Sequence, residues 1–244
     1  MKGKQRALHL AEVAVMMGSD LPQARLAMGD ALAAVDEPTL AEAEYRLALS
    51  FTPDSTTAHI KLADSLRSQG KLPETTAELR DALRLDPGSA LAHSDLGFIL
   101  GQQNNDGAVA QYREAIRLDP DFTEAHNNLA IALARQGNFP GAVAEFEEIV
   151  RIDPDSVLGY YNMAIALADM EKDAESAEAL RQAVRVNPNH FNARFNLGEM
   201  FRLEGKLDEA VKQFREYLRL APDTPQNQRN IRRAREFVQT HENP

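Results

Sequence analysis

Residues 56–89 read TTAHIKLADSLRSQGKLPETTAELRDALRLDPGS, and residues 123–156 read TEAHNNLAIALARQGNFPGAVAEFEEIVRIDPDS. The two stretches are equal in length and carry alanine, leucine, glycine and proline at matching places. Each ends in an acidic residue, a proline and two small or acidic residues. The same proline recurs along the chain as Pro53, Pro87, Pro120, Pro154, Pro188 and Pro222, at intervals of 34, 33, 34, 34 and 34. Self-similarity at a fixed period of this size marks an array of repeated supersecondary units. Six units follow: 22–55, 56–89, 90–122, 123–156, 157–190 and 191–224. The third is one residue short, and the gap falls best in its internal turn, Asn104 to Gly107, where a deletion costs least.

The units share a code of residue size. Position 7 of each unit is Met28, Leu62, Leu96, Leu129, Met163 and Leu197. Position 8 is small: Gly29, Ala63, Gly97, Ala130, Ala164 and Gly198. Position 20 is small again: Ala41, Thr75, Ala108, Ala142, Ser176 and Ala210. Position 24 is large: Tyr45, Leu79, Tyr112, Phe146, Leu180 and Phe214. Positions 4, 7, 8 and 11 form one stripe of a first helix, and positions 20, 24 and 27 one stripe of a second. Small residues at 8 and 20 let the two backbones approach, and large ones fill the space around them. Gly70, Gly137 and Gly205 at position 15 suit a left-handed residue ending the first helix. Asp36 and Glu171 stand at that position in two other units and are poor choices for it, so those turns are expected to differ. Proline at position 32 closes the second helix.

This code resembles the tetratricopeptide repeat family, over residues 22–224. The family's usual tryptophan at position 4 is absent, with His59, His93, His126 and Tyr160 there instead. The resemblance implies an all-α, right-handed superhelical solenoid of antiparallel helix pairs, a single array over 1–244. The flanks keep the period. Residues 4–18 read as the second helix of a truncated unit, and 225–239 as a lone capping helix whose outer side carries Arg232, Arg233 and Arg235; such caps keep the last apolar face from water. Residues 4–239 are therefore expected to form about fourteen helices with no strand.

Composition narrows the partner. The formal net charge is -10 with a pI near 5.1. No basic stripe exists beyond the short arginine cluster near the C-terminus, which argues against duplex nucleic acid and against an anionic membrane surface. There are no cysteines, so disulfides and thiolate metal sites are excluded. Met1 to Met17 starts basic and turns apolar, but Glu12 interrupts it and no cleavage pattern follows. No run of 18 apolar residues is present to span a membrane. A cytoplasmic chain is the expectation.

No catalytic centre is legible. The sequence has no nucleophile elbow, no phosphate-binding glycine loop and no HExxH. The aspartates of Asp86-Pro87, Asp119-Pro120 and Asp153-Pro154 belong to the repeat, and solvated turns explain them. His59, His93 and His126 recur once per unit. Equivalent sites in neighbouring units stand about 8–10 Å apart, too far to share a zinc bound at about 2.1 Å, so these imidazoles read as packing between repeats. No cofactor is expected.

The informative positions lie on the first helices, which line the concave face in this family. Position 6 reads Ala27, Lys61, Asp95, Asn128, Asn162 and Asn196, and Asn230 in the cap. An amide offers both a donor and an acceptor, so a row of them matches the N–H and C=O groups of an extended chain whatever its side chains. The row resembles the asparagine ladder of the O-linked N-acetylglucosamine transferase superhelix, which implies grip on a peptide backbone by Asn128, Asn162, Asn196 and Asn230. Asp95 and Lys61 depart from it. Asparagine at position 6 is also frequent in the family without that role. Tyr161 and Phe195 at position 5, with Phe98 and Ile131 at position 9, either hold apolar side chains of a ligand on the groove wall or pack between repeats. Position 5 carries no lysine, so the carboxylate clamp of heat-shock co-chaperones is not expected. The leading expectation is a non-catalytic adaptor for an extended peptide or partner helix. The alternatives are a self-assembling homo-oligomeric scaffold and the repeat region of a larger enzyme such as a glycosyltransferase.

Overall fold

The computed structural model describes residues 9, 13, 16, 22–103 and 107–242. Among them there are thirteen helices and no strand. The chain divides into two compact units, Met1–Ala125 and His126–Pro244. Residues 9, 13 and 16 are helical; the remainder of the expected N-terminal helix, and the turn at Asn104, lie outside the described residues.

The first unit holds α1 (Pro22–Ala34), α2 (Pro38–Phe51), α3 (Thr56–Ser68), α4 (Leu72–Leu85), α5 (Ala90–Gln102) and α6 (Gly107–Leu118), and ends in the first turn of α7 (Thr123–Arg135). The second holds the rest of α7, then α8 (Phe139–Ile152), α9 (Val157–Asp169), α10 (Asp173–Val186), α11 (Phe191–Leu203), α12 (Leu207–Leu220) and α13 (Gln228–Glu242). Within each unit, consecutive helices pack as antiparallel pairs. The cap α13 starts a turn later than the expected residue 225. Thr224 precedes Pro225 and is steered away from helical backbone, and its carbonyl accepts from the Asn227 and Gln228 amides at 3.0 and 3.2 Å. Among the described residues, no helix is long and apolar enough to cross a membrane.

Local chemistry sets the helix ends. Ser55, Ser89 and Ser156 cap the helices that follow them, each hydroxyl accepting from a backbone amide three residues on at 3.2–3.3 Å, which satisfies one of the orphan donors of a helix start. Asp86, Asp119 and Asp153 each fold a carboxylate back onto the amide two residues ahead, at 2.9, 3.2 and 3.1 Å. The Asp-Pro pairs are turn-formers of the kind the sequence indicated.

The expectation that the Asp36 and Glu171 turns differ is wrong. Both residues take the left-handed backbone, at φ 68° and 58°, beside 73°, 77° and 73° for Gly70, Gly137 and Gly205. The same bond closes each turn: Glu37 to Leu32, Lys71 to Leu66, Asn138 to Leu133, Lys172 to Leu167 and Lys206 to Phe201, at 2.8–3.0 Å. Packing of the flanking helices overrides the local preference, and the side chain carries the strain. A residue with a Cβ loses about 1–2 kcal/mol there, and glycine gives back part of that through its freer unfolded chain. Glu171→Gly is therefore expected to stabilise the protein by about 0.5–1 kcal/mol in a denaturant titration.

The size code is realised as paired fits. A Cβ added to Gly29 would stand 2.3 Å from Tyr45 Cε1, one on Gly97 2.8 Å from Tyr112 Cε1, and one on Gly198 2.8 Å from Phe214 Cε1. Where position 24 is leucine instead, as in Leu79 and Leu180, position 8 is alanine, in Ala63 and Ala164. A second pairing joins position 27 to position 3 of the next repeat. Ala48, Ala82 and Ala183 precede Ala58, Ala92 and Ala193, all fully buried. Where Ile149 replaces alanine, Gly159 faces it, and a Cβ on Gly159 would lie 2.9 Å from Ile149 Cγ2. In these pairs the larger residue meets the smaller one, as dense packing requires; the fourth repeat keeps Ala130 at position 8 with Phe146 at position 24.

Candidate functional site: the exposed face of the first helices

Position 4, the tryptophan site of the related repeats, is taken by a polar bracket in five repeats; the fifth has Tyr160 there and Ala179 at position 23. His59 Nδ1 lies 2.7 Å from Glu78 Oε2, and its Nε2 lies 3.0 Å from the Pro53 carbonyl. His93 faces Gln111 and the Pro87 carbonyl at 2.7 and 3.2 Å. In the second unit, His126 Nδ1 meets Glu145 at 2.6 Å. Arg194 donates to the Pro188 carbonyl at 2.6 Å and to Gln213 at 3.0 Å. Side chains at positions 4 and 23 thus tie the two helices of a repeat together. His59, Glu78 and Asp81 have ligand atoms within 4.8 Å of one another, but both His59 nitrogens are engaged, so the ring offers no free nitrogen to an ion.

The face of the first helices carries the other candidates. Asn128 on α7, Asn162 on α9, Asn196 on α11 and Asn230 on α13 are all half-buried. Among the described residues the side-chain amides of Asn128, Asn162 and Asn230 have no hydrogen-bond partner, and Asn196 Nδ2 reaches only the Tyr161 hydroxyl, at 3.5 Å. Unspent amide donors and acceptors at the solvent margin are available to a ligand.

The aromatic candidates divide. Tyr161 is half-buried, with its ring 4.9 Å from that of His190. Ile131 is half-buried as well. Phe195 does not line a wall. It is 5% exposed, packed against Phe214 at 5.6 Å and Tyr217 at 5.0 Å, with the Arg233 guanidinium 5.7 Å from its ring. Position 27 is the unusually large Tyr217 in that repeat, and the two rings fill the interior together.

Two apolar residues on this face were passed over in the sequence. Leu158 is 63% exposed and Ile165 39% exposed. They stand a turn either side of Asn162 on the same face of α9. Ile165 shares position 9 with Phe98 and Ile131, and that register was the available signal.

In the first unit, Phe98 is half-buried, with the Arg67 guanidinium 5.5 Å from its ring. Asp95 takes the place an asparagine holds elsewhere. Burial, with Asp64 and Glu124 nearby and Arg67 opposing, pushes its carboxyl up to about 7. A protonated carboxyl presents one donor and one acceptor, as the amides of the row do.

His190 shows how a repeat cap becomes sensitive to pH. Its Nδ1 accepts from the Ala193 amide at 3.1 Å, the role serine plays at Ser55, Ser89 and Ser156, and burial holds it below the usual 6.5 of histidine. The unfolded chain takes up the proton first, so this contribution is complete above about pH 6.5 and is lost as the pH falls below it. Denaturant midpoints measured at about pH 7.5 and about pH 5.5 should therefore separate more for the wild type than for His190→Ser, which keeps the cap and removes the titration.

The sequence profile described as tetratricopeptide repeat matches residues 26–90, 100–157 and 161–225, which together are well over half the chain. Solved structures agree in fold. The chain is similar to the Cut9–Hcn1 hetero-tetramer of the APC/C, with TM-score 0.72, 17% identity, and coverage of 95% of this chain and 46% of the other. It therefore spans under half the length of that protein. It is similar to the C-terminal part of a TPR repeat-containing protein from Cytophaga hutchinsonii, with TM-score 0.74, 13% identity, and coverage of 94% and 95%. It is also similar to YrrB, described as a TPR protein with an unusual peptide-binding site, with TM-score 0.60, 22% identity, and coverage of 75% and 95%. No curated protein matches the chain.

Proposed function

The chain belongs to the tetratricopeptide repeat family, and from that premise we propose that it is a non-catalytic adaptor whose second unit holds an extended peptide along the asparagine row. The repeats and the solved structures they resemble support a protein–protein interaction scaffold. The peptide reading is carried by one observation: Asn128, Asn162, Asn196 and Asn230 hold one register position on four successive first helices, at the solvent margin, and among the described residues the amides of Asn128, Asn162 and Asn230 are unspent while that of Asn196 makes one long contact. Amides placed to satisfy the chain itself would have partners. Leu158 and Ile165 beside Asn162, with Tyr161 and Ile131, supply apolar contact for side chains of the peptide. YrrB, a relative in fold, is described as having a peptide-binding site, which is consistent with this use of the scaffold. The net charge of -10 disfavours a nucleic-acid partner.

The reading is tested by selecting unstructured peptides against the immobilised chain and following the side-chain NH2 resonances of the asparagines during titration. Asn128 and Asn162 should shift on binding. Saturation that leaves both unmoved would place the peptide elsewhere and end the proposal.

A further inference from the structure

We propose that the outward face of α2, in the first unit, docks a second and different partner: an amphipathic helix with an apolar face and basic flanks. The starting point is a comparison of the chain with itself. In five repeats, positions 26 and 29 of the second helix hold a polar acceptor and an arginine, bonded to each other. These are Asp81–Arg84 at 3.3 Å, Glu114–Arg117 at 2.6 Å, Glu148–Arg151 at 2.6 Å, Gln182–Arg185 at 2.8 Å and Glu216–Arg219 at 2.9 Å. The first repeat breaks this rule. It has Leu47 and Ser50 there, and Leu40 at position 19, where the others have Glu74, Gly107, Gly141, Glu175 and Glu209.

The result is an apolar stripe in water. Leu40 is 53% exposed, Leu47 42% and Phe51 46%. Ala43 and Ser50, also exposed, lie between them. The 40–43–47–50 spacing is that of a helix seam able to take the knobs of another helix. The opposite face of α2, through Ala41, Tyr45 and Ala48, is already buried within the unit. Contiguous exposed apolar surface with a polar rim is a mark of an interaction site.

Charge chooses the occupant. Asp36 and Glu37 stand at the start of α2 and Asp54 just past its end; all three are exposed, and among the described residues none has an ion pair. The cation of the stripe, Arg46, is held by Glu42 and Glu74 at 3.0 and 3.3 Å. A second copy of this acidic chain would set like-charged rims together, whichever way it ran, and that repulsion is costly. Lysine or arginine flanks meet the rim favourably.

The test uses two synthetic helical peptides about as long as α2, each with leucine along one face, one with lysine flanking that face and at both ends, and one with glutamate in place of lysine. The variant Leu40→Glu/Leu47→Glu/Ser50→Arg installs the pattern that the other repeats already carry, so it is expected to fold. The lysine peptide should bind the wild type, and the variant should bind it about tenfold more weakly or worse, while the glutamate peptide binds neither. Peptides selected for the asparagine row should bind both forms alike, so failure here leaves that reading intact and the reverse also holds. Equal affinity for the variant would reduce the effect to attraction by net charge and overturn the proposal. So would preference for the glutamate peptide, no binding of the lysine peptide to the wild type, or concentration-dependent self-association that the variant abolishes.

Discussion

Changing Asn128, Asn162 and Asn196 together to alanine is expected to weaken binding of an unstructured peptide by about 1.5–4.5 kcal/mol, roughly one to three orders of magnitude in Kd. Each amide contributes about 0.5–1.5 kcal/mol, the net worth of one hydrogen bond to the ligand, and the range assumes that the three contributions add. The fold should survive. These side chains sit at the solvent margin, and among the described residues the one side-chain hydrogen bond lost is the long Asn196–Tyr161 contact at 3.5 Å. Salt should change the affinity little, since amides carry no charge. Calorimetry on both forms, with circular dichroism to check helicity, decides the matter. An unchanged Kd would make the asparagines a family habit and turn attention to Leu158, Tyr161 and Ile165. A loss of helicity would show that the side chains are structural.

Gly198→Ala should destabilise the second unit by about 1–3 kcal/mol, because overpacking a dense interior forces displacement. The added Cβ meets Phe214 Cε1, Cδ1 and Cζ at 2.8, 3.0 and 3.1 Å. The ring cannot step aside freely. It is 1% exposed and is flanked by Phe195 at 5.6 Å and by Phe237, edge on, at 5.1 Å. The repeat before it solves the same junction with Ala164 and Leu180. Adding Phe214→Leu to Gly198→Ala recreates that pair, and the double variant should lose less than the sum of the single ones by about 0.5–3 kcal/mol. Simple additivity in a denaturant-based mutant cycle would mean that the two positions do not compensate.

The period of prolines and the small residues at positions 8 and 20 made the helix pairs legible, because one packing problem is solved six times and the solution is written in residue size. The finer fits were hidden. Ile149 and Gly159 look unrelated in sequence, and only their contact across a repeat junction shows that one makes room for the other. Asp36 and Glu171 were misjudged because local preference is weaker than the helices that flank them. His59 and Arg194 at position 4 are chemically unlike, yet both reach a residue 19 positions on in the second helix and the proline carbonyl before them. Periodicity located that position without naming its partners. Register alone leaves Phe195 open between the ligand wall and the packing between repeats. Its burial depends on Tyr217 lying opposite, at a position that is alanine in four of the repeats, and one helix cannot report what packs against it. The asparagine row itself was readable because four identical residues share one register.

The central claim is that the row reads backbone and not side chains, and one comparison addresses it directly. A selected peptide is remade twice, once with its internal residues shuffled and once with the sequence kept but successive backbone amides replaced by esters, which lack the N–H donor and have a weaker carbonyl acceptor. Calorimetric affinities of the two are set against the parent. The account predicts that the shuffled peptide keeps most of its affinity and that the ester peptide loses about 0.5–1.5 kcal/mol for each linkage facing an asparagine. An ester peptide that binds as well as the parent, with the shuffled one binding poorly, would contradict it.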